Sequence, residues 1–226
     1  MMSDLRLVIF DVDGTLVDSQ DMIFAAFTFA YQRLGLPVPD RAHALSFVGM
    51  SLEKIFPLMS PAQDPATHRA LAQGYRDAYF HIRKEKGSAA TSPFFPGARA
   101  ALDRLRAQDW TLLAVATGKS KRGLDKLIEG YALDGYFQSQ QTADHHPSKP
   151  HPAMVQACLD ETGVDPSRAV MIGDTTFDVE MGQAAGVKTI GVSWGYHPVA
   201  DLPADQIIES FDALDGAIDQ LIGPAK

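Results

Sequence analysis

Two carboxylates stand one residue apart just after an apolar run near the start of the chain. The run 5–10 (LRLVIF) is rich in branched and aromatic side chains, and Asp11, Asp13 and Gly14 follow it. This pattern predicts a buried strand that ends in a glycine turn. Because alternate strand residues point the same way, Asp11 and Asp13 can share a direction. The ends of such strands are where doubly wound sheets place their chemistry.

Neighbouring buried carboxylates need a proton or a cation to relieve their repulsion. Mg²⁺ prefers oxygen ligands and suits such a pair. One carboxylate can then be an ionised nucleophile while the other is a proton donor, if their surroundings separate the two pKa values. A turn with two solvated aspartates is the simpler alternative. An EF-hand fits poorly because Gly14 comes too early and follows a strand.

A second candidate site lies at Thr117 and Gly118, which follow the apolar run 111–116 and open a predicted helix. A hydroxyl, a bare backbone N–H and a helix N-terminus together can bind an anion. An ordinary helix cap after a strand is the alternative. We predict that Lys119 and Lys121 are surface residues.

Three charged residues complete the set. Lys149 precedes Pro150, which favours an extended backbone at the lysine, so its ammonium can point at a phosphate. A solvated loop lysine is the alternative. The nearby histidines lack the spacing of a helical metal site. Asp174 ends a predicted strand as Asp11 does. Asp178 follows four residues later, where Thr175-x-x-Asp178 also matches a capping box, so a cap and a role beside a metal can coexist.

The segment Gly191-Val192-Ser193-Trp194-Gly195 matches the nucleophile elbow of serine hydrolases. An elbow must lead into a helix, yet Pro198 interrupts one at once. The only later histidine is His197, and no acid lies between it and the serine. We therefore predict that the match is coincidental.

Composition limits the function classes. The chain has 226 residues, 46% of them hydrophobic, and a net charge of −8, which argues against a nucleic-acid partner. Cys158 is the only cysteine, so no intrachain disulfide can form, and its helical setting predicts a packing role. We expect a cytoplasmic protein, because no signal peptide or membrane span is evident.

The elements that position these residues fall into two groups. Residues 18–90 read as helices only: Ser19 is a candidate N-cap, and Phe24, Phe27, Tyr31 and Leu34 form one helical face. A short helix around 51–59 and a longer amphipathic one follow, and 87–93 read as a linker. From residue 96 helices and strands alternate, which predicts a parallel sheet with helices on both faces. The predicted strands are 111–116, 136–140, 169–172, 187–192 and 207–208, and the predicted helices are 98–108, 120–129, 153–162, a segment ending at 185, and 212–222.

Taken in order, the segments at 11–15, 117–118, 149–150 and 173–178 resemble the four motifs of the haloacid dehalogenase superfamily. The helical stretch after the first strand resembles that family's first type of cap domain. The resemblance implies an α/β fold, a doubly wound parallel sheet with a Rossmann-like core (residues 1–17 and 92–226) and a small all-helical cap domain (residues 18–91) inserted after the first strand. The most similar subgroup is that of phosphoglycolate phosphatase-like and β-phosphoglucomutase-like enzymes.

The resemblance also implies roles for individual residues. Asp11 would be the nucleophile that forms an aspartyl-phosphate, and Asp13 would be the general acid and base. The implied Mg²⁺ ligands are Asp11, the backbone carbonyl of Asp13, and Asp174; the implied phosphate-binding residues are Thr117, Gly118 and Lys149; Asp178 would orient Lys149 or metal-bound waters. A cap loop with Gly49 and Ser51 would read the leaving group, although Ser51 also fits a helix N-cap.

These roles predict a Mg²⁺-dependent phosphatase that acts on a small phosphorylated metabolite, either phosphoglycolate-like or a sugar phosphate. Asp13 favours phosphate esters over halides, because an alkoxide needs a proton when it leaves and a halide does not. A phosphosugar mutase is the alternative, and a receiver-like signalling domain or a non-catalytic phosphate-binding domain is more remote. The expected partner is a small phosphate ester, without nucleic acid or membrane, and a monomer and a dimer both remain open.

Overall fold

A six-stranded parallel sheet forms the centre of residues 5–225, the part of the chain that this computed structural model describes. Its strands are β1 (Arg6–Phe10), β2 (Thr111–Thr117), β3 (Ser139–Thr142), β4 (Ala169–Gly173), β5 (Lys188–Val192) and β6 (Gln206–Ile208). Their order is β3-β2-β1-β4-β5-β6, and each neighbouring pair is parallel. This is the doubly wound order, so the predicted fold class is confirmed.

Helices cover both faces of the sheet. They are α6 (Ala98–Arg106), α7 (Lys121–Tyr131), α8 (Ala153–Thr162), α9 (Thr176–Ala184) and α10 (Leu214–Ile222). Alternate side chains of β1 point to opposite faces of the sheet, and each face has its own hydrophobic core. Val8 and Phe10 pack with α6, α7 and α10 on one face, whereas Leu7 and Ile9 pack with α8 and α9 on the other. β1 is therefore buried on both sides, as its unbroken apolar run predicts.

A helical insert, residues 20–91, separates β1 from α6. It contains α1 (Gln20–Arg33), α2 (Arg41–Leu45), α3 (Leu52–Met59), α4 (Pro65–Lys86) and α5 (Ser88–Thr91). Its apolar side chains form a third core around Phe27 and Phe56. The chain leaves and re-enters the sheet domain at one place, because the Asp18 N–H donates to the Pro93 carbonyl at 2.8 Å.

The structure differs from the sequence predictions in three local features. Leu34 follows the end of α1 and is 39% exposed, so it is not part of the buried helix face. The predicted linker contains α5. The strand predicted at 136–140 begins at Ser139, because Tyr136 and Phe137 pack into the core from the preceding turn. Residues 1–4 and 226 of the predicted core domain lie outside the described residues.

Within the described residues, none of the helices has the length and apolar character needed to cross a membrane.

Candidate active site

The sheet order brings the predicted site residues to one edge. Asp11 follows β1 and Asp174 follows β4, its neighbour, while Thr117 ends β2 on the other side of β1. The backbone N–H of Asp11 donates to the Ile172 carbonyl at 2.9 Å, which fixes the start of the loop. This edge is the point where the strand order reverses, the usual place for a ligand in such sheets.

Three aspartates form a buried acidic cluster at this edge. Carboxylate oxygens of Asp11, Asp174 and Asp178 all lie within 4.8 Å of one another, and each residue is at most 1% exposed. Burial raises the pKa of Asp11 to about 6, although Lys149 opposes the rise. Burial, with Asp178 and Asp11 nearby, raises the pKa of Asp174 well above its ordinary value. The cluster therefore holds more negative charge than its surroundings easily stabilise.

Lys149 is the cation that the cluster shares. Its Nζ donates to Asp11 Oδ1 at 2.8 Å and to Asp178 Oδ1 at 2.6 Å, and the lysine is 2% exposed. Burial alone would lower the pKa of Lys149, but the two carboxylates raise it above its ordinary value. One ammonium faces three carboxylates, and hard oxygen donors with excess negative charge suit a divalent cation. The residues present therefore fit the metal that the resemblance implies.

Two glycines make room for Asp174. A Cβ on Gly14 would lie 2.2 Å from Asp174 Oδ2, and a Cβ on Gly195 would lie 2.0 Å from Asp174 Cβ. Asp174 Oδ2 accepts the Tyr196 N–H and its Oδ1 accepts the Thr15 hydroxyl, both at 2.9 Å. Gly195, the last residue of the apparent serine-hydrolase motif, thus leaves the space that the Asp174 side chain occupies. No helix follows Ser193 before Pro198, which confirms the prediction that the resemblance to a nucleophile elbow is coincidental.

Asp178 has two roles at once. Its Oδ2 accepts the Thr175 N–H at 3.1 Å and the Thr175 hydroxyl at 2.7 Å, which completes the capping box at the start of α9. Its Oδ1 meanwhile accepts from Lys149. The cap holds the side chain where it also binds Lys149.

Asp13 has its own partners. Its Oδ1 accepts the Ser19 hydroxyl at 2.5 Å, and its Oδ2 lies 2.9 Å from Lys119 Nζ. Ser19 occupies the N-cap position before α1, but its hydroxyl makes no cap and binds Asp13 instead. The side chain of Asp13 lies outside the acidic cluster, so the two neighbouring aspartates have different environments.

The prediction that Lys119 is a surface residue was wrong. Its side chain is 5% exposed, and its Nζ also donates to the Tyr79 hydroxyl of α4 at 2.7 Å. Burial alone would lower the pKa of Lys119, but Asp13 raises it above its ordinary value. Its place two residues after Thr117, in the predicted anion site, was the one signal in the sequence. The partner Tyr79 is too distant in the chain to be inferred.

A cavity of about 530 Å³ lies between the sheet edge and the helical insert. Six of the predicted site residues line it: Asp11, Asp13, Gly49, Ser51, Thr117 and Gly118. Lys149, Asp174 and Asp178 are not among its lining residues; they lie behind this wall, where Lys149 donates to Asp11. The aromatic rings of Phe27, Tyr75 and Tyr79 form part of the opposite wall.

The predicted cap-loop residues contact the sheet domain. A Cβ on Gly118 would lie 2.4 Å from the Gly49 carbonyl oxygen, and Gly49 has a φ of +106° that glycine readily adopts. The Ser51 N–H donates to the Ser148 hydroxyl at 2.9 Å, and the Ser51 hydroxyl makes no cap at the start of α3. The loop before α3 is thus held against the sheet edge beside Thr117.

The chain is similar in sequence and in structure to known proteins. The family model described as haloacid dehalogenase-like hydrolase matches residues 8–192. The probable phosphatase IndB of Dickeya dadantii is 37% identical over 223 residues, 96% of this chain and 94% of that protein. The pyrophosphatase PpaX of Bacillus pumilus is 33% identical over 85% of each chain. The crystal structure of a predicted phosphatase from Clostridium acetobutylicum has a TM-score of 0.83 and 26% identity, covering 96% of this chain and 99% of that one. The chain belongs to the family of haloacid dehalogenase-like hydrolases.

Proposed function

We propose that this protein is a Mg²⁺-dependent phosphatase that hydrolyses a small phosphate monoester through an aspartyl-phosphate on Asp11. The observation that carries the proposal is the pair Asp11 and Asp13 in one cavity, each with its own lysine. The membership of the family and the names of the two relatives support phosphatase chemistry.

In the proposed reaction Asp11 attacks phosphorus and the bond from phosphorus to the leaving oxygen breaks. Asp13 gives its proton to that oxygen, so the alcohol leaves neutral. A water molecule then gives a proton to Asp13 and attacks the aspartyl-phosphate. Inorganic phosphate leaves, and the carboxylate of Asp11 and the proton on Asp13 are restored. The two aspartates have different partners, Lys149 for Asp11 and Ser19 with Lys119 for Asp13, so their carboxylates are not equivalent.

Asp11, Asp174 and the backbone carbonyl of Asp13 would hold Mg²⁺, with Asp178 beside them. When bound, the ion would neutralise charge on the carboxylates and the phosphate oxygens. Thr117, the Gly118 N–H and Lys149 would hold the remaining phosphate oxygens. Lys149 is placed for this by its bond to Asp11, the group that would receive phosphorus.

Residues 18–91 would act as a cap domain over a core of residues 1–17 and 92–226, and Gly49 and Ser51 would contact the leaving group. The cavity between insert and sheet edge supports this division, since a substrate inside would be enclosed by both parts. A cavity of about 530 Å³ between two parts of the chain favours a small metabolite over a phosphoprotein.

The test is release of inorganic phosphate from a panel of small esters, including phosphoglycolate and hexose phosphates, with Mg²⁺ or EDTA. We expect release that needs Mg²⁺ and that Asp11→Asn abolishes. Asp160→Asn on the exposed face of α8 is the matched control and should behave as the wild type. Absence of release from every ester by folded protein would refute the proposal. Transfer of the phosphoryl group to a second hydroxyl, without free phosphate, would indicate a mutase instead.

A further inference from the structure

Two arginines line the cavity where the insert meets the sheet domain. Arg83 of α4 donates to the Gly123 carbonyl of α7 at 3.3 Å, and its guanidinium lies 5.5 Å from the centre of the Tyr79 ring. Arg122 of α7 lies 4.1 Å from the ring centre of Phe80 on α4. Each arginine therefore comes from one helix and contacts the other. We call this pair, Arg83 and Arg122, the seam arginines.

The seam arginines carry charge that the described residues leave unbalanced, since neither guanidinium has a carboxylate within 4 Å. The other cations of the wall are paired, Arg76 with Glu53 and Lys119 with Asp13. The remaining acidic lining residue, Asp144, accepts the Lys121 N–H and pairs with neither arginine. Two cations of this cavity wall therefore have no carboxylate partner among the described residues.

The reacting phosphate does not need these two cations. Lys149, Thr117 and Gly118 already lie at the Asp11 end, and neither seam arginine is hydrogen-bonded to Asp11 or Asp13. A guanidinium offers five N–H donors in a fork that matches a carboxylate or phosphate, and Arg83 uses one of them for the Gly123 carbonyl. The ring contacts hold both groups in place, which lowers the cost of ordering them on a ligand.

We propose that Arg83 and Arg122 bind a second anionic group, a carboxylate or a second phosphate, on the leaving-group side of the substrate. This inference rests on the proposed function and narrows it to esters that carry two acidic groups. A cavity of about 530 Å³ has room for both groups and the carbon skeleton between them.

The test compares kcat/KM within pairs of esters that differ in the second acidic group. The pairs are phosphoglycolate with ethyl phosphate, 6-phosphogluconate with glucose 6-phosphate, and fructose 1,6-bisphosphate with fructose 6-phosphate. We expect the acidic member to be preferred by about tenfold or more in at least one pair, because its second anion can accept charge-assisted hydrogen bonds that the neutral member cannot. The carboxylate pairs and the bisphosphate pair show which anion is bound.

Arg83→Gln and Arg122→Gln should each lower this preference by about tenfold, mainly through KM. Arg83→Lys, which keeps the charge, should retain more of the preference than Arg83→Gln. Arg69→Gln on the exposed face of the same helix, outside the cavity, is the matched control and should leave it unchanged. Circular dichroism checks folding, and Arg122 is exposed, so its variant tests the proposal even if Arg83→Gln does not fold.

Equal losses for both members of a pair, or no preference in the wild type, would overturn the inference. Hydrolysis of the neutral esters with Mg²⁺ would leave the proposed function intact in that case. Failure to hydrolyse any ester would instead refute the proposed function itself, so the two failures are distinguishable.

Discussion

At the scale of the residue, the site is organised by charge pairs that separate two neighbouring carboxylates. Asp11 pairs with Lys149 and Asp13 with Lys119, and both lysines are nearly inaccessible to solvent. Removing one partner of a buried ion pair lowers the stability of the fold by far more than the intact pair adds to it, because the other charge stays buried without compensation.

Lys149→Met tests this dependence. Without Lys149, Asp11 and Asp178 remain buried beside Asp174 with no cation, so we expect a loss of about 3–5 kcal/mol in the free energy of unfolding. Urea unfolding in EDTA measures it, and Mg²⁺ should restore part of the loss. The matched control is Lys188→Met, which removes a surface pair with Asp205 and should cost at most about 1 kcal/mol. Similar losses in both variants would contradict the argument.

Cys158 gives a prediction about pH. Burial raises the pKa of its thiol to about 12, and the residue is fully buried on α8. Only the thiolate reacts with disulfide reagents, so at pH 8 labelling of the native protein should be more than about a thousandfold slower than in urea. The native rate should rise with pH, because the thiolate fraction increases toward the pKa. Rapid labelling at pH 8 would show that α8 opens easily.

At the scale of the element, two loops approach so closely that the space beside Gly118 cannot hold a side chain. The loop between β2 and α7 meets the loop before α3 where Gly118 contacts the Gly49 carbonyl. One loop belongs to the sheet domain and the other to the helical insert, so the contact determines how the insert is placed over Asp11.

Gly118→Ala should therefore impair activity more than stability. The new Cβ would lie 2.4 Å from the Gly49 oxygen, and the shift that relieves the clash should lower kcat/KM on the order of 100-fold. The control is Gly216→Ala in α10. The added Cβ would have no neighbouring atom within 4 Å, and the free energy of unfolding should rise by about 0.5–1 kcal/mol. Steady-state kinetics and thermal unfolding separate the two effects. Unchanged kinetics in Gly118→Ala would show that the insert is free to move away.

At the scale of the whole molecule, we propose that the insert is a separate unit beside a complete sheet domain. It has its own core around Phe27 and Phe56, while two other cores cover the sheet. Its two ends meet at Asp18 and Pro93. The sheet domain can therefore be closed without it by a short connection.

Replacing residues 18–91 with a short Gly/Ser linker should leave a folded sheet domain. It would keep Asp11, Lys149, Asp174 and Asp178, so we expect slow, Mg²⁺-dependent hydrolysis of p-nitrophenyl phosphate. Discrimination among natural esters should disappear, because the wall with Tyr75 and Arg83 is lost. Circular dichroism and kcat/KM on the panel measure both effects. A sheet domain that unfolds, or one that keeps the full selectivity, would contradict this division of the chain.

The local pattern of the sequence determined the strands, the helices and the places where chemistry could occur. The apolar runs predicted β1, β2, β4 and β5 to within a residue or two, because side-chain period and turn residues act over short distances. Each motif at a strand end, from Asp11 to Asp178, therefore fell at the edge where parallel strands finish. Thr175 and Asp178 even showed their cap in the sequence, since both partners lie within one turn.

Only the tertiary structure decided which of these groups meet and what surrounds them. Lys119 became a buried partner of Asp13 because Tyr79 closes over it from the insert, and Gly195 proved to make space for Asp174. The seam arginines line one cavity because the C-terminal end of α4 contacts the N-terminal end of α7, although the two helices are far apart in the chain. Burial and charge pairing depend on contacts between distant segments, and a linear pattern does not contain them.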